Sequence, residues 1–221
     1  MTPVAGRIVD LSHAVEDGMV TYPGLPGPTV GTYLSREESA QRYGPGTTFH
    51  IGRIELVANT GTYLDAPYHR FADGVDLAGL PLERTADLDG VLVAANGRQI
   101  GAAAFAGVDV EGRAVLLRTG WSRHWRTPEY GAAGAPYLAR DGAEWLVEHG
   151  AVLVGIDSVN IDDMADTARP AHTVLLRAGV PVLEHLCNLD RLPGSGFRLH
   201  AAPVGVRGLG TFPVRAYAVL P

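Results

Sequence analysis

The sequence predicts a mixed α/β fold, and three observations support that class. Two continuous apolar runs, residues 91–95 and 114–118, are typical of buried strands. Residues 139–149 have the composition of a helix, and the apolar run 151–157 that follows predicts a buried strand. The 28 glycines and 15 prolines indicate many turns and little long helix. Because no repeat, low-complexity tract or linker interrupts the chain, we expect one domain spanning residues 1–221.

The first half of the chain is predicted to contain short strands between irregular stretches. Residues 8–11 predict a short strand, and residues 22–28 form a loop dense in proline and glycine. A loop that stiff is either a structural cap or a pocket wall. Residues 29–50 are polar and irregular, so we expect an excursion that is mobile or docked on a partner. Residues 51–58 show an alternating pattern of side chains and contain several β-branched residues, which together predict a strand.

The second half contains the best helix signal and the closing strands. In the helix predicted over residues 139–149, Asp141 lies in the first turn and Gly150 marks the end. Residues 173–178 predict a short helix, because glycine and proline follow it, and residues 180–183 predict a strand that runs back. The last strands are predicted within residues 197–204 and 212–220.

Composition excludes several classes of function. The net charge is −6 and no basic run stands out, so we expect no nucleic-acid partner. No apolar run approaches the roughly 20 residues of a membrane span, and residues 1–7 do not resemble a signal peptide. The single cysteine, Cys187, excludes an intramolecular disulfide and a metal site of several cysteines, and is expected to be packing. We therefore expect a cytoplasmic protein.

The densest group of chemically active side chains lies in residues 59–69. Asn59, Tyr63, Asp65 and His69 share one parity, so an extended chain would place them on one face. An extended chain would also leave Asp65 and His69 about 13 Å apart, at about 3.3 Å per residue. A bend at the Ala66–Pro67 step is therefore needed to bring both side chains to one molecule or ion.

A second group of chemically active side chains lies near residues 172–184. The predicted helix, turn and returning strand would place Glu184 close to His172. Five other histidines are expected to be hydrogen-bonded core or surface residues rather than ligands, namely His13, His124, His149, His185 and His200, and His50 is not expected to replace a missing ligand.

At these residues the sequence resembles the cyclase-like superfamily, which includes bacterial kynurenine formamidase and isatin hydrolase. The family motif is His-x-Gly-Thr-His-x-Asp-x-Pro-x-His, and this chain matches it at Gly61, Thr62, Asp65, Pro67 and His69. Asn59 and Tyr63 stand where the motif has its first two histidines. His172 and Glu184 have the family spacing, and the resemblance covers nearly the whole chain. It implies a swivelling β/β/α fold with a central β core, and homodimers or homotetramers with pockets near the subunit interface.

The resemblance also implies metal sites. In the formamidase branch two ions are bound, one at the positions of Asn59, Tyr63 and Asp65 and the other at those of Asp65, His172 and Glu184. The first set is broken here, because a carboxamide is a weak ligand and a phenol must lose a proton of pKa near 10. The second set is intact and would suit one divalent ion, zinc or manganese. A hydrogen-bonded polar cluster without metal is the alternative.

Roles for the remaining residues follow from the resemblance. The His69 position moves a proton in the family, and the Tyr22 position touches substrate. Asn59 and Tyr63 either fill vacated volume or orient a carbonyl as hydrogen-bond donors. Trp121 follows the predicted strand at 114–118 and is either core or a pocket wall.

We therefore predict an enzyme that acts on a small molecule, and three hypotheses stay open. The first is metal-assisted hydrolysis of an amide, cyclic amide or lactone, with Asp65, His172 and Glu184 as ligands and His69 as the proton carrier. The second is a metal-independent cyclase, dehydratase or isomerase, in which His69, Tyr63 and Asp65 or Glu184 do acid–base work. The third is a non-catalytic binding protein that retains the fold.

Overall fold

A computed structural model describes residues 7–221 of the chain, so residues 1–6 and most of the stretch inspected for a signal peptide lie outside it. Within residues 7–221 there are thirteen strands and three α-helices. The helices are α1 (Arg36–Ala40), α2 (Arg140–Glu148) and α3 (Pro170–Arg177). The strands are β1 (Ile8–Asp10), β2 (Thr29–Leu34), β3 (Ile51–Glu55), β4 (Tyr63–Asp65), β5 (Leu88–Ala94), β6 (Gln99–Ile100), β7 (Ala114–Arg118), β8 (Tyr137–Leu138), β9 (Leu153–Ile156), β10 (Val182–Glu184), β11 (Ser195–His200), β12 (Thr211–Pro213) and β13 (Tyr217–Val219).

A nine-stranded mixed sheet forms the centre of the molecule and confirms the predicted mixed α/β class. Its strand order is β1-β13-β11-β5-β7-β9-β10-β4-β12. Its centre is a parallel group of four strands, β5, β7, β9 and β10. The strands on either side of this group pair antiparallel. Parallel strands need cover on both faces, which explains why their sequences are continuous apolar runs.

Two hydrophobic clusters cover the two faces of this sheet. The first includes buried side chains of α2 and α3, such as Leu146 and Leu175, packed on Val115 and Val154. The second lies on the opposite side and includes Leu116 together with residues of the outer strands. Neighbouring residues of β7 therefore enter different clusters, as the alternation of side chains along a strand requires.

Helix α3 begins earlier than the predicted helix over residues 173–178. Pro170 takes the first turn, where its missing N–H costs nothing. The carboxylate of Asp162 accepts hydrogen bonds from the amides of Ala171 at 2.6 Å and His172 at 3.1 Å. This cap comes from outside the helix, so local sequence did not reveal it, and it places His172 in the first turn.

The irregular conformation predicted for residues 29–50 was wrong, because this stretch contains β2 and α1. Ser35 and Glu38 form a reciprocal capping box that starts α1. Strand β2 pairs antiparallel with β3, and the two form a separate two-stranded sheet. We call residues 29–34 and 51–55 the exposed ribbon, because nearly all of their side chains face solvent.

The closing strands also differ from the prediction. The two expected strands, over residues 197–204 and 212–220, form three strands: β11, β12 and β13. Strands β11 and β13 pair with each other, whereas β12 pairs with β4 at the far edge of the main sheet. None of the three helices within residues 7–221 has the length and apolar character that crossing a membrane requires.

Candidate active site

Strand β4 brings the two predicted groups of side chains together. It pairs antiparallel with β10 on one side, with Tyr63 opposite Glu184, and with β12 on the other, with Asp65 opposite Thr211. Tyr63 and Glu184 are 121 residues apart in sequence. The convergence of these two distant segments is therefore a property of the sheet order.

A sharp bend after β4 returns His69 to Asp65, as predicted. Ala66 is extended and Pro67–His69 form a single 3-10 turn. His69 Nδ1 lies 3.7 Å from Asp65 Oδ1, although Asp65 is fully buried and the His69 side chain is 34% exposed. His69 therefore connects a buried carboxylate to the surface of the site.

Thr211 determines which nitrogen of His69 carries a hydrogen. Its hydroxyl donates to Asp65 Oδ1, which uses its only proton. The second contact, 2.7 Å between Thr211 Oγ1 and His69 Nδ1, then requires Nδ1 to donate. The Nε2 atom of neutral His69 is left with a lone pair, which suits it to accept and return a proton.

His172 is oriented by Asp162, a residue that the sequence did not single out. The Asp162 Oδ2 atom lies 2.6 Å from His172 Nδ1. The other ring nitrogen, Nε2, lies 3.5 Å from Asp65 Oδ2 and 3.7 Å from Glu184 Oε1. A histidine held by a carboxylate through one nitrogen, with the other facing acidic oxygens, is the arrangement that metal-binding histidines adopt.

Glu184 is anchored on both of its oxygens. Tyr63 donates its hydroxyl to Oε2 at 2.6 Å, and the amide of Ile161 donates to Oε1 at 2.5 Å. His185 Nε2 lies 3.3 Å from the Tyr63 hydroxyl, and its Nδ1 lies 2.9 Å from that of Tyr130. His185 is a buried, hydrogen-bonded histidine, which agrees with the expectation for it.

Burial and mutual interaction shift the pKa values of the acidic and imidazole groups. Burial alone would lower the pKa of His172, but its bond to Asp162 and the nearby Asp65 and Glu184 outweigh this effect and raise it to about 10. Burial raises the pKa of Glu184 to about 7, although His172 acts in the opposite direction. Burial would raise the pKa of Asp65 as well, but His69, His172 and Thr211 together lower it.

Tyr63 is a weaker candidate for proton transfer than the sequence indicated. Burial, followed by the charges of Glu184 and Asp65, raises its pKa well above the usual value of 10.0. Its hydroxyl hydrogen is already committed to Glu184. The geometry therefore gives Tyr63 the task of holding Glu184 rather than that of an acid or base.

The donor atoms at this site fit a metal ion. Asp65 Oδ2 is buried and makes no hydrogen bond to residues 7–221, although His172 Nε2 lies 3.5 Å away, so a bound cation would compensate its burial. One ligand atom each from Asp65, His69 and His172 lie within 4.8 Å of one another. This set differs from the predicted one, because it contains His69 in the place of Glu184.

An open cavity of about 380 Å³ leads to these residues. The predicted residues Tyr22, Asn59, Tyr63, His69, His172 and Glu184 all line it, and so do Pro23, Gly24 and Leu25 of the stiff loop. That loop is therefore a pocket wall. Asn160, Arg70 and Arg169 also line the cavity, although no local pattern in the sequence singled them out.

Trp121, for which core and cavity wall were the alternatives, is a core residue and does not line the cavity, so its assignment to substrate binding is corrected. It is buried against Tyr130, Ala135 and Val159, and its indole N–H donates to the Tyr130 carbonyl at 2.9 Å. Tyr22 packs on this cluster from the cavity side, so Trp121 supports a wall residue rather than forming the wall.

The other residues expected to be structural show ordinary structural contacts. Burial raises the pKa of the Cys187 thiol to about 11, which leaves it protonated and unreactive near neutral pH. Four histidines make ring contacts, namely His13 with Trp125, His124 with Trp121, His149 with Trp145 and His200 with Tyr217. The rings of His149 and His200 are also hydrogen-bonded as expected, whereas His13 Nε2 is buried without a hydrogen bond to residues 7–221.

Comparison with known proteins identifies the family. Residues 9–163 match the family model described as "Cyclase: Putative cyclase". The chain belongs to this cyclase family. The match ends before His172 and Glu184, so the sheet pairing of β4 with β10 is what connects the matched segment to those two residues.

Relatives of this cyclase family member cover nearly its whole length. It is 28% identical to the kynurenine formamidase of Bacillus cereus over 209 residues, which are 94% of this chain and 95% of the relative. It superposes on isatin hydrolase A from Labrenzia aggregata, solved with benzyl benzoate, with a TM-score of 0.79 at 25% identity, covering 97% and 93% of the two chains. A structure described as a predicted metal-dependent hydrolase from Bacillus stearothermophilus gives a TM-score of 0.73 at 26% identity, covering 96% and 97%.

Proposed function

We propose that this protein is a hydrolase of an amide, cyclic amide or lactone, and that it uses one divalent metal ion. The observation that carries the proposal is the convergence of Asp65, His69 and His172 beside a cavity that both histidines line. One oxygen of Asp65 makes no hydrogen bond to any of residues 7–221. The names of the relatives, formamidase, isatin hydrolase and metal-dependent hydrolase, support the same reaction class.

Asp65 and His172 are the two ligands that we assign to the ion, with Glu184 as the third. Zinc and manganese both suit nitrogen and oxygen donors of this kind. When bound, such an ion polarises a carbonyl and lowers the pKa of a coordinated water. Glu184 lies 3.7 Å from His172 Nε2, and each of its oxygens keeps a lone pair beyond its present hydrogen bond.

His69 is the residue that we assign to proton transfer. Its Nδ1 hydrogen is directed to Thr211, so Nε2 can take a proton from an attacking water and return it to the leaving nitrogen or oxygen. Asp65 Oδ1 lies 3.7 Å from His69 Nδ1, and both atoms contact the Thr211 hydroxyl, which fixes the orientation of the imidazole. Asn59 and Tyr22 line the same cavity and are assigned to substrate binding.

A metal-independent acid–base enzyme, such as a cyclase, dehydratase or isomerase, is the second candidate. The charge of His172 favours it, because a protonated imidazole among Asp65, Asp162 and Glu184 already neutralises part of the acidic cluster. In that case His69 would perform the same proton transfer with no ion present.

Metal analysis combined with hydrolysis assays separates the two candidates. Protein loaded with zinc or manganese is expected to bind about one equivalent, to hydrolyse members of a panel of aryl formamides, cyclic imides and lactones, and to lose activity on chelation. Activity that survives complete metal removal would reject the metal hydrolase, and no turnover of the panel by loaded protein would count against hydrolysis.

Two variants separate the roles of His69 and Glu184. If His69 is the proton carrier, His69→Ala keeps its metal and loses about 100-fold or more in kcat. If His69 is a ligand instead, this variant loses the metal, whereas Glu184→Gln keeps it. His149→Ala, which changes an exposed histidine stacked on Trp145, is the matched control and should keep both metal and activity.

Assembly and location are the remaining parts of the proposal. We expect a homodimer or homotetramer, because the exposed ribbon carries large apolar side chains that a second copy would cover. A cytoplasmic location stays a prediction from the single cysteine.

A further inference from the structure

The cavity is acidic at its buried end and basic towards solvent. Glu184 lines the buried end, with Asp65 behind it, whereas Arg70 lines the cavity as an exposed residue and Arg169 as a half-buried one. A molecule that enters therefore meets two guanidinium groups as well as the acidic cluster. The proposed hydrolytic chemistry requires only the acidic end, so the arginines need a separate explanation.

Arg169 has a fixed orientation but no counterion. Its Nη1 donates to Asn160 Oδ1 and to the Asp163 carbonyl, both at 3.3 Å, and its Nη2 donates to the Tyr22 hydroxyl at 3.2 Å. These acceptors are neutral, and no carboxylate of residues 7–221 lies within 4.0 Å of its guanidinium nitrogens. A half-buried charge held by weak, neutral contacts gains strongly from an anion that reaches it.

The backbone of Arg169 is held in an unfavourable conformation. Its φ of 48° and ψ of 59° are left-handed, a region that side chains with a Cβ seldom occupy. It is the residue immediately before α3, three positions ahead of His172. Local strain at a cavity wall, together with an unneutralised guanidinium, indicates that the position of this side chain serves binding.

Arg70 extends the basic region to the mouth of the cavity. It follows His69 in the chain, and its Nε donates weakly to Thr173 Oγ1 at 3.4 Å. Its guanidinium also has no carboxylate of residues 7–221 within 4.0 Å, so it can turn towards an entering anion. Tyr22 and Leu25 provide aromatic and aliphatic surface in the same cavity.

We propose that Arg169, assisted by Arg70, binds the carboxylate of an anionic substrate and directs its carbonyl towards His69. A carboxylate accepts two parallel hydrogen bonds from a guanidinium, and Arg169 and Arg70 are the cavity-lining side chains that can donate them, so they would hold the carboxylate at their end of the cavity. The identity of the reacting carbonyl rests on the proposed hydrolytic function, whereas the binding of the anion does not.

Binding of ketone probes tests this proposal without any turnover. The anionic probes are meta- and para-acetylbenzoate, and the neutral probes are the matching methylacetophenones, which have a methyl group in place of the carboxylate. None of them has a leaving group, so titration calorimetry reports binding alone. We expect at least one anionic probe to bind about tenfold or more tightly than its neutral match, and rising salt to reduce that preference.

Variants of the arginines assign the preference to residues. Arg169→Gln should remove most of the preference for the anionic probe and leave the neutral probe unchanged, and Arg70→Gln should remove a smaller part. Arg169→Lys retains the positive charge but cannot donate two parallel hydrogen bonds, so its preference for the anionic probe should lie between those of the parent and Arg169→Gln. Arg42→Gln, which changes an exposed arginine outside the cavity, is the control and should bind like the parent.

Several outcomes would overturn the proposal. They are equal binding of anionic and neutral probes, binding of neither, and an Arg169→Gln variant that weakens both probes alike, as a purely structural arginine would. Anion preference in a protein that hydrolyses nothing would support this inference and reject the hydrolase. Hydrolysis without a preference for the anionic probe would support the hydrolase and reject this inference.

Discussion

At the scale of single residues, Asp162 decides what His172 can do. Its carboxylate accepts hydrogen bonds from the ring nitrogen Nδ1 and from two backbone amides at the start of α3. The imidazole is thereby fixed with Nε2 facing Asp65 and Glu184. A residue that never touches a metal or substrate would then control the geometry of one that does.

We predict that Asp162→Asn lowers the affinity for zinc by about 10- to 100-fold, because the amide cannot accept all three hydrogen bonds. A competition titration against a coloured chelator measures this change. Asp163→Asn is the matched control: its neighbouring carboxylate pairs with Arg98 at 2.7 Å and should affect zinc affinity little. An Asp162→Asn protein that is folded by circular dichroism and binds zinc like the parent would contradict the assignment of His172.

The sequence identified the residues with intrinsic chemistry but not those that orient them. Asp65, His69, His172 and Glu184 could be singled out because their groups and spacing carry a signal of their own. Asp162 and Thr211 act through position, since each becomes important only after the chain folds back onto the site. Tyr63 shows the same limit: its hydroxyl was predicted to be available, and the neighbouring Glu184 binds it.

At the scale of elements, the site depends on the edge of the sheet formed by β10, β4 and β12. The segment before β12 packs directly on the bend that carries His69. The Gly210 carbonyl accepts a hydrogen bond from Ala66 at 2.7 Å. A Cβ placed on Gly210 would lie 2.1 Å from the His69 nitrogen and 2.4 Å from its Cα, so only glycine fits there.

We predict that Gly210→Ala destabilises the protein by about 1–3 kcal/mol and lowers activity, because backbone atoms of His69 must move to admit the methyl group. Urea unfolding measures the stability. The control is Gly205→Ala in the same loop, where the nearest atom to an added Cβ is 3.6 Å away, an ordinary contact. Equal stability of the two variants would show that the bend is not tightly packed.

Elements were predictable where one local signal dominated. Strand β7 has the bounds expected from its apolar run, and α2 ends near Gly150 as expected. Residues 29–50 were misjudged because β2 is exposed, and an exposed strand lacks the apolar pattern on which the prediction depended. The start of α3 was missed because its cap, Asp162, lies outside the helix.

At the scale of the whole molecule, the exposed ribbon is the feature that the described chain leaves uncovered. Val30 and Ile54 are partners across its two strands, and they are 47% and 54% exposed. Cross-strand partners lie on the same face, so these two side chains form one exposed apolar patch. Such a surface on a separate two-stranded sheet is typical of a contact between subunits.

We predict that the parent protein is a dimer or tetramer and that the double variant Val30→Glu with Ile54→Glu has a lower assembly state, because four buried carboxylates would face each other across a twofold contact. Light scattering after size-exclusion chromatography measures the mass. Val204→Glu, at a 62% exposed site outside the ribbon, is the control. A monomeric parent, or a double variant with unchanged mass, would contradict the assignment of the ribbon.

Local features of the sequence were enough to predict the mixed α/β class, the buried strands and the candidate reactive side chains. These features are local: apolar runs, turn residues and the chemistry of individual groups are all visible in the order of the amino acids. The bend that returns His69 to Asp65 was also predictable from the sequence, because an extended chain would hold the two residues too far apart to meet.

The arrangement of those side chains around one another depends on how the chain folds. The pairing of β4 with both β10 and β12 joins residues 121 and 146 positions apart, and no local pattern encodes such a contact. The same pairing commits the Tyr63 hydroxyl, leaves one Asp65 oxygen without a partner and sets the protonated nitrogen of His69. The place of Arg169 in the cavity wall was not predictable either. Its side chain is held by Asn160 and Tyr22, and Tyr22 is brought next to it only by folding.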